Sequence, residues 1–132
     1  MNAFIVDLEN KPGELARVAE AIAGKGINLT TLSAATCGST GSVALMTNDE
    51  AGTRNALRDA RCSFREIEAV PVWLEDKPGT LADAARKIGN AGVNIEAVLP
   101  TGMSGGKVSV AFLTSDPMKT REAVGIAAAA HA

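Results

Sequence analysis

The chain has little of what most active sites are built from. Its one histidine, His131, stands next to the C-terminal residue, so a His-dependent catalytic set or a His-rich metal site has almost nothing to draw on. Tyrosine is absent, and the aromatics are one Trp and three Phe. With those, no cluster of Lys or Arg and a net charge of −2, the sequence offers nucleic acid no binding surface. Cys37 and Cys62 are too few for a disulfide framework and lack CxxC spacing, which suits a reducing cytosol. No basic residue lies at a fixed local spacing to activate either, so both are expected to be buried structural thiols. No apolar run approaches the ~20 residues that span a bilayer. The N-terminal "MNAFIVDLEN" shows no basic segment followed by an apolar block, so no secretory leader is expected and the cytoplasm is the expected location. "CGSTGS" and "GMSGG" are glycine-rich, but neither follows a strand and opens a helix with phosphate-loop spacing; both read as hairpin turns. The expectation is a protein with no cofactor, no metal and no catalytic residues.

What is present is a repeat. "LENKPGEL" begins at Leu8, and "LEDKPGTL" begins 66 positions later at Leu74. At that offset the stretches from Leu8 to Thr30 and from Leu74 to Glu96 agree at 11 of 23 positions. The shared residues are the punctuation and the apolar period together: Lys-Pro-Gly, Leu15/Leu81, Ala19/Ala85, Ile22/Ile88, Gly26/Gly92 and Asn28/Asn94. The chain therefore reads as two copies, 1–69 and 70–132.

Each copy predicts strand, helix, strand, strand, helix. "AFIVDL" and "VPVWLE" are β-rich first strands, with Trp73 expected to pack. Pro12 and Pro78 fit a first helical position, where the missing N–H is no loss. Leu15, Val18, Ala19 and Ile22, like Leu81, Ala84, Ala85 and Ile88, repeat at helical spacing and should press onto a sheet. Gly26 and Gly92 fit helix stops. "INLTTLSAA" with "GSVALMT", and "VNIEAVLP" with "KVSVAFLT", read as hairpins. "NDEAGTRNALRDA" and "SDPMKTREAVGIAAAA" read as second helices, capped at Asn48/Asp49 and Ser115/Asp116. Copy one adds a last strand, "SFREIEAV"; copy two has none and ends helical in character at "IAAAAHA". The position left open at the sheet edge invites a partner chain or a neighbouring copy.

The strand, Asx-Lys-Pro-Gly turn, helix and Gly-Ile/Val-Asn strand start resemble tandem ACT domains, small regulatory modules that bind amino acids. The resemblance implies an α+β fold of two ferredoxin-like βαββαβ units with antiparallel sheets and helices on one face, the second lacking its last strand. It also implies a non-catalytic, allosteric sensor of a free amino acid or similar small zwitterion, assembling as a homodimer and acting on a regulated enzyme. In a serine-binding member of the family, an Asn two before the proline and an Asn sixteen after it hold the ligand. Carried over, these are Asn10 with Asn28, and Asp76 with Asn94. The candidate ligand-binding residues are therefore Asn10, Lys11, Pro12, Gly13, Asn28 and Leu29 in copy one, and Asp76, Lys77, Pro78, Gly79, Asn94 and Ile95 in copy two. That member also has a His two positions before the first Asn, where this chain has Leu8 and Leu74. The family's ligands commonly lie between two ACT units, so the sites are expected at such an interface. Physically, the turn presents main-chain N–H groups at a helix start to an anion, and glycine lets a ligand come close. Asn10 and Asp76 have a second reading as helix caps. A different function also fits the fold, an assembly module whose surfaces pair with another protein and bind no small molecule.

Overall fold

The computed structural model describes residues 1–126 and divides into two compact units, Met1–Ile67 and the chain from Glu68 onward. In the first unit β1 (Asn2–Glu9), α1 (Glu14–Ala23), β2 (Leu29–Cys37), β3 (Thr40–Thr47), α2 (Glu50–Asp59) and β4 (Phe64–Glu68) follow one another. The sheet order is β2-β3-β1-β4, with β3 antiparallel to both β1 and β2. In the second unit β5 (Val70–Glu75), α3 (Thr80–Asn90), β6 (Ile95–Ser104), β7 (Lys107–Thr114) and α4 (Pro117–Val124) build a sheet of order β5-β7-β6. Both sheets are antiparallel with helices on one face, the ferredoxin-like pattern. Among the described residues β5 is an edge strand.

The period-2 alternation of β1 decides which side chains meet α1. Phe4 and Val6 stand opposite Leu45 and Val43 in register. These four pack with Val18 and Ile22 of α1 and Leu57 of α2 into one core. Burying an aliphatic or aromatic side chain of this kind stabilises by roughly 1.5–3 kcal/mol. The second unit repeats the plan with Val70, Val72, Ala84, Ile88 and Phe112. Leu15 and Leu81, which open the two helical stripes, stay 43% and 50% exposed.

The copies also share their polar joints. Asp49 and Asp116 cap α2 and α4, accepting from Gly52 N–H at 2.9 Å and from Lys119 N–H at 3.1 Å. Behind each cap a buried hydroxyl pair, Thr47/Thr53 and Thr114/Thr120, closes at 2.7 Å. The offset between copies is 66 at Asn28/Asn94 but 67 at Thr47/Thr114. The additional residue is a β-bulge: the pairing of β6 with β7 breaks between Pro100 and Gly102, a break that β2 does not have.

Several sequence expectations are corrected. Pro12 and Pro78 are not the first helical residues; they precede Gly13 and Gly79, the N-caps, and the helices start at Glu14 and Thr80. Both glycines sit at φ 88 and 92, a left-handed geometry that excludes most side chains, so the turn needs glycine for its backbone. The hairpins are tighter than "CGSTGS" and "GMSGG" suggest. Strands run on to two-residue turns, with positive φ at Gly38 alone in the first and at both Gly105 and Gly106 in the second. The helix expected to continue through 130 stops at Val124, where Gly125 turns left-handed and Ile126 N–H donates back to Arg121 O at 2.9 Å. The expectations for "AAAAHA", His131 included, lie outside the described residues. Trp73 is 55% exposed, because it alternates with Val72 and Leu74, which face the helices. Cys37, expected to be buried, is exposed at the hairpin end, and Cys62 is half-buried against the core; both are free.

Candidate functional site

The repeated turn lies where β1 hands over to α1. Asn10 does not cap the helix: its Nδ2 donates to Gly38 O at 2.9 Å, and its main-chain N–H donates to Ser39 O at 3.0 Å. The turn is thus braced against the β2–β3 hairpin. Asp76 N–H makes the equivalent bond to Gly106 O at 3.0 Å, and Thr80 Oγ1 adds a second brace to Glu75 O at 2.7 Å. Neither N-cap glycine has a side chain to satisfy the helix start. Among the described residues Gly13, Leu15 and Ala16 offer main-chain N–H groups with no protein acceptor, as do Gly79, Leu81 and Ala82.

Of these, Leu15 lines a cleft of about 270 Å³ in the first unit, together with Leu8, Glu9, Asn10, Lys11, Glu14, Ala34, Ala35 and Thr36. Three elements supply it: the end of β1 with its turn, the first residues of α1, and the hairpin end of edge strand β2. Its charges are already paired. Lys11 Nζ meets Glu9 at 2.9 Å, which raises the Lys11 pKa. Arg17 Nε donates to Glu14 at 3.1 Å and holds its carboxyl below the usual range. The other Glu14 oxygen accepts from Glu9 N–H at 3.4 Å. Arg17 also reaches Ala60 O at 3.3 Å and Cys62 Sγ at 3.6 Å, a basic neighbour for Cys62 that no local sequence spacing could show.

The candidate residues do not all converge. Asn10, Lys11, Pro12 and Gly13 share the turn, as Asp76, Lys77, Pro78 and Gly79 share theirs. Asn28 and Leu29 lie at the opposite end of the sheet, beside Thr47, whereas the turn lies beside Thr40. The length of β3 separates them, roughly 23 Å at ~3.3 Å per residue. Asn28 N–H donates to Asn48 Oδ1 at 3.1 Å, and Asn94 N–H to Ser115 Oγ at 3.2 Å, so each strand start is tied to the loop that opens the next helix. Asn94 and Ile95 are correspondingly far from Asp76. The wall residues Ala34, Ala35 and Thr36 went unseen in the sequence, because strand pairing brings them to the turn from about 24 positions away.

A family model described as an ACT domain pair matches residues 1–129. The chain belongs to the ACT domain pair family. Among solved structures, this ACT pair is similar to protein BT0572 from Bacteroides thetaiotaomicron, with 26% identity over 94% of this chain and 85% of that one and a TM-score of 0.75. It shares the fold of the ligand-free regulatory subunit of aspartate kinase from Thermus thermophilus, at 21% identity over 94% and 88% of the two chains and a TM-score of 0.63. The regulatory subunit of aspartate kinase from Thermus flavus gives 20% identity, 94% and 90% coverage and a TM-score of 0.62. No curated protein matches the sequence. Among the described residues no helix is long and apolar enough to cross a membrane.

Proposed function

We propose that this ACT pair is a non-catalytic regulatory protein that binds a free amino acid at its strand–turn–helix sites and passes that signal to an enzyme in the cytoplasm. The observation that carries the reading is the meeting of opposite demands at one turn. Main-chain N–H groups of Gly13, Leu15 and Ala16 suit a carboxylate. The free Oδ1 of Asn10 suits an ammonium group. At about 270 Å³ the cleft falls just below the ~300–1,000 Å³ of drug-sized pockets, a scale that suits a single amino acid. Asn28 and Asn94 are remote from the turn of their own unit, so neither reaches a ligand held at that turn. The aspartate kinase subunits of this fold are regulatory by name, which agrees with the reading.

A thermal shift across the twenty amino acids tests it. One ligand at about 100 times Kd adds roughly 2.7 kcal/mol and raises Tm by about 10 °C in a chain of this size. Asn10→Ala should weaken that response by loosening the turn. A flat panel at millimolar ligand favours the assembly module instead. One observation supports that second reading: edge strand β2, "LTTLSAATC", has no charge or proline and is mostly exposed, the kind of edge that pairs with another chain in a homodimer.

A further inference from the structure

We infer that the two copies have diverged, so that only the first unit binds, taking one amino acid per chain, and that the ligand's side chain is uncharged and aliphatic. This rests on the amino-acid reading above and concerns the same site. The difference lies in the row of residues running across each sheet beneath the turn. In the first unit that row is Leu8, Gly41, Thr36. In the second it is Leu74, Val108, Met103.

Gly41 is what lets the wall form. A Cβ there would lie 2.7 Å from Ala35 O and 2.9 Å from Thr36 Cγ2, closer than van der Waals contact allows. Without that atom, the end of β2 lies tightly over β3 and carries Ala34, Ala35 and Thr36 to the turn. The second unit has Val108 in this place. Its partner strand takes an additional residue, bulging at Thr101, whose hydroxyl meets Ser109 Oγ at 2.7 Å. Two rows on, Ala34 opposite Val43 becomes Pro100 opposite Val110. Thr36 and Met103 are both exposed, so the difference at this place is one of size, a Thr against a Met. Larger side chains and a displaced strand end replace the small-residue wall.

The lining of the first-unit cleft selects the ligand. Glu9 and Glu14 are each paired with a cation of the protein, so no unmatched charge calls for a charged side chain. The polar contacts belong to the turn and helix start, which suit the zwitterionic end. Leu8, Leu15, Ala34 and Ala35 supply carbon surface for the rest. Leu15, 43% exposed at the rim, is apolar surface that an aliphatic side chain would cover.

Calorimetric titration of the full chain with leucine, valine, isoleucine, methionine, serine, lysine and aspartate tests the inference. The expected result is saturable binding of one or more aliphatic amino acids at one per chain, with serine, lysine and aspartate at least tenfold weaker. Two repeat-matched variants, both at exposed helix positions, separate the copies. Leu15→Ala should weaken binding several-fold, and Leu81→Ala should leave it unchanged. Two ligands per chain, equal effects of the two variants, or a preference for a charged or hydroxylated amino acid would overturn the inference while leaving the amino-acid reading intact. No heat with any of the seven, alongside a flat thermal-shift panel, would overturn both.

Discussion

Glu66 accepts three hydrogen bonds from two side chains of the first unit. Arg54 grips it with Nε at 2.7 Å and Nη2 at 2.8 Å, and Asn2 Nδ2 donates at 2.7 Å. These donors, Arg54 foremost, lower its pKa from 4.5 to about 2. Because the folded value lies below the unfolded one, the ionised form stabilises the fold above about pH 4.5. That contribution is lost as the pH falls from about 4.5 towards 2. Urea midpoints measured between pH 6 and pH 2.5 should therefore drop more steeply in the natural chain than in Arg54→Gln. The variant should also be less stable at pH 6. Parallel curves would show that the pair contributes nothing. Neither partner announces this in the sequence. Arg54 and Glu66 are joined only once α2 packs beside β4, just as Arg17 and Cys62 meet only across the first unit.

The helix ends show what single elements owe to single residues. The four helices of the described residues stop in the same way. A left-handed residue donates three positions back, and the next residue donates five positions back. The pairs are Gly26 and Ile27, Arg61 and Cys62, Gly92 and Val93, and Gly125 and Ile126. Three of the four use glycine, and Gly26 and Gly92 could be read as stops from the sequence alone. Arg61 could not, because it holds φ 57 with a full side chain. Arg61→Gly should relieve that cost and stabilise the protein by about 0.5–1 kcal/mol, measured by chemical denaturation. A loss of stability would mean that the Arg61 side chain contributes more than its backbone costs. The exposed Leu15 and Leu81 make a related point. Their periodicity assigned them to the sheet-facing stripe, but both stay exposed at the helix starts.

For the molecule as a whole, duplication was the most legible feature of the sequence. Lys-Pro-Gly, the apolar period and Gly-x-Asn fixed the order of elements, and among the described residues β5 is an edge strand. The site was legible only along the chain. Asn10 to Gly13 announced themselves by repetition, whereas the opposite wall comes from β2, and its form depends on Gly41 against Val108, a difference that no motif flags. Repetition suggested a candidate site in each copy; the differences between the copies point to one. The central claim is that the unpaired amides at the start of α1 receive the carboxylate of a small zwitterion. Amide chemical shifts of the isotopically labelled protein, followed during titration with the amino acid that raises Tm most, test this directly. The account predicts saturable shifts at Gly13, Leu15 and Ala16, with Gly79, Leu81 and Ala82 unmoved; saturable shifts elsewhere that leave the first three amides unchanged would contradict it.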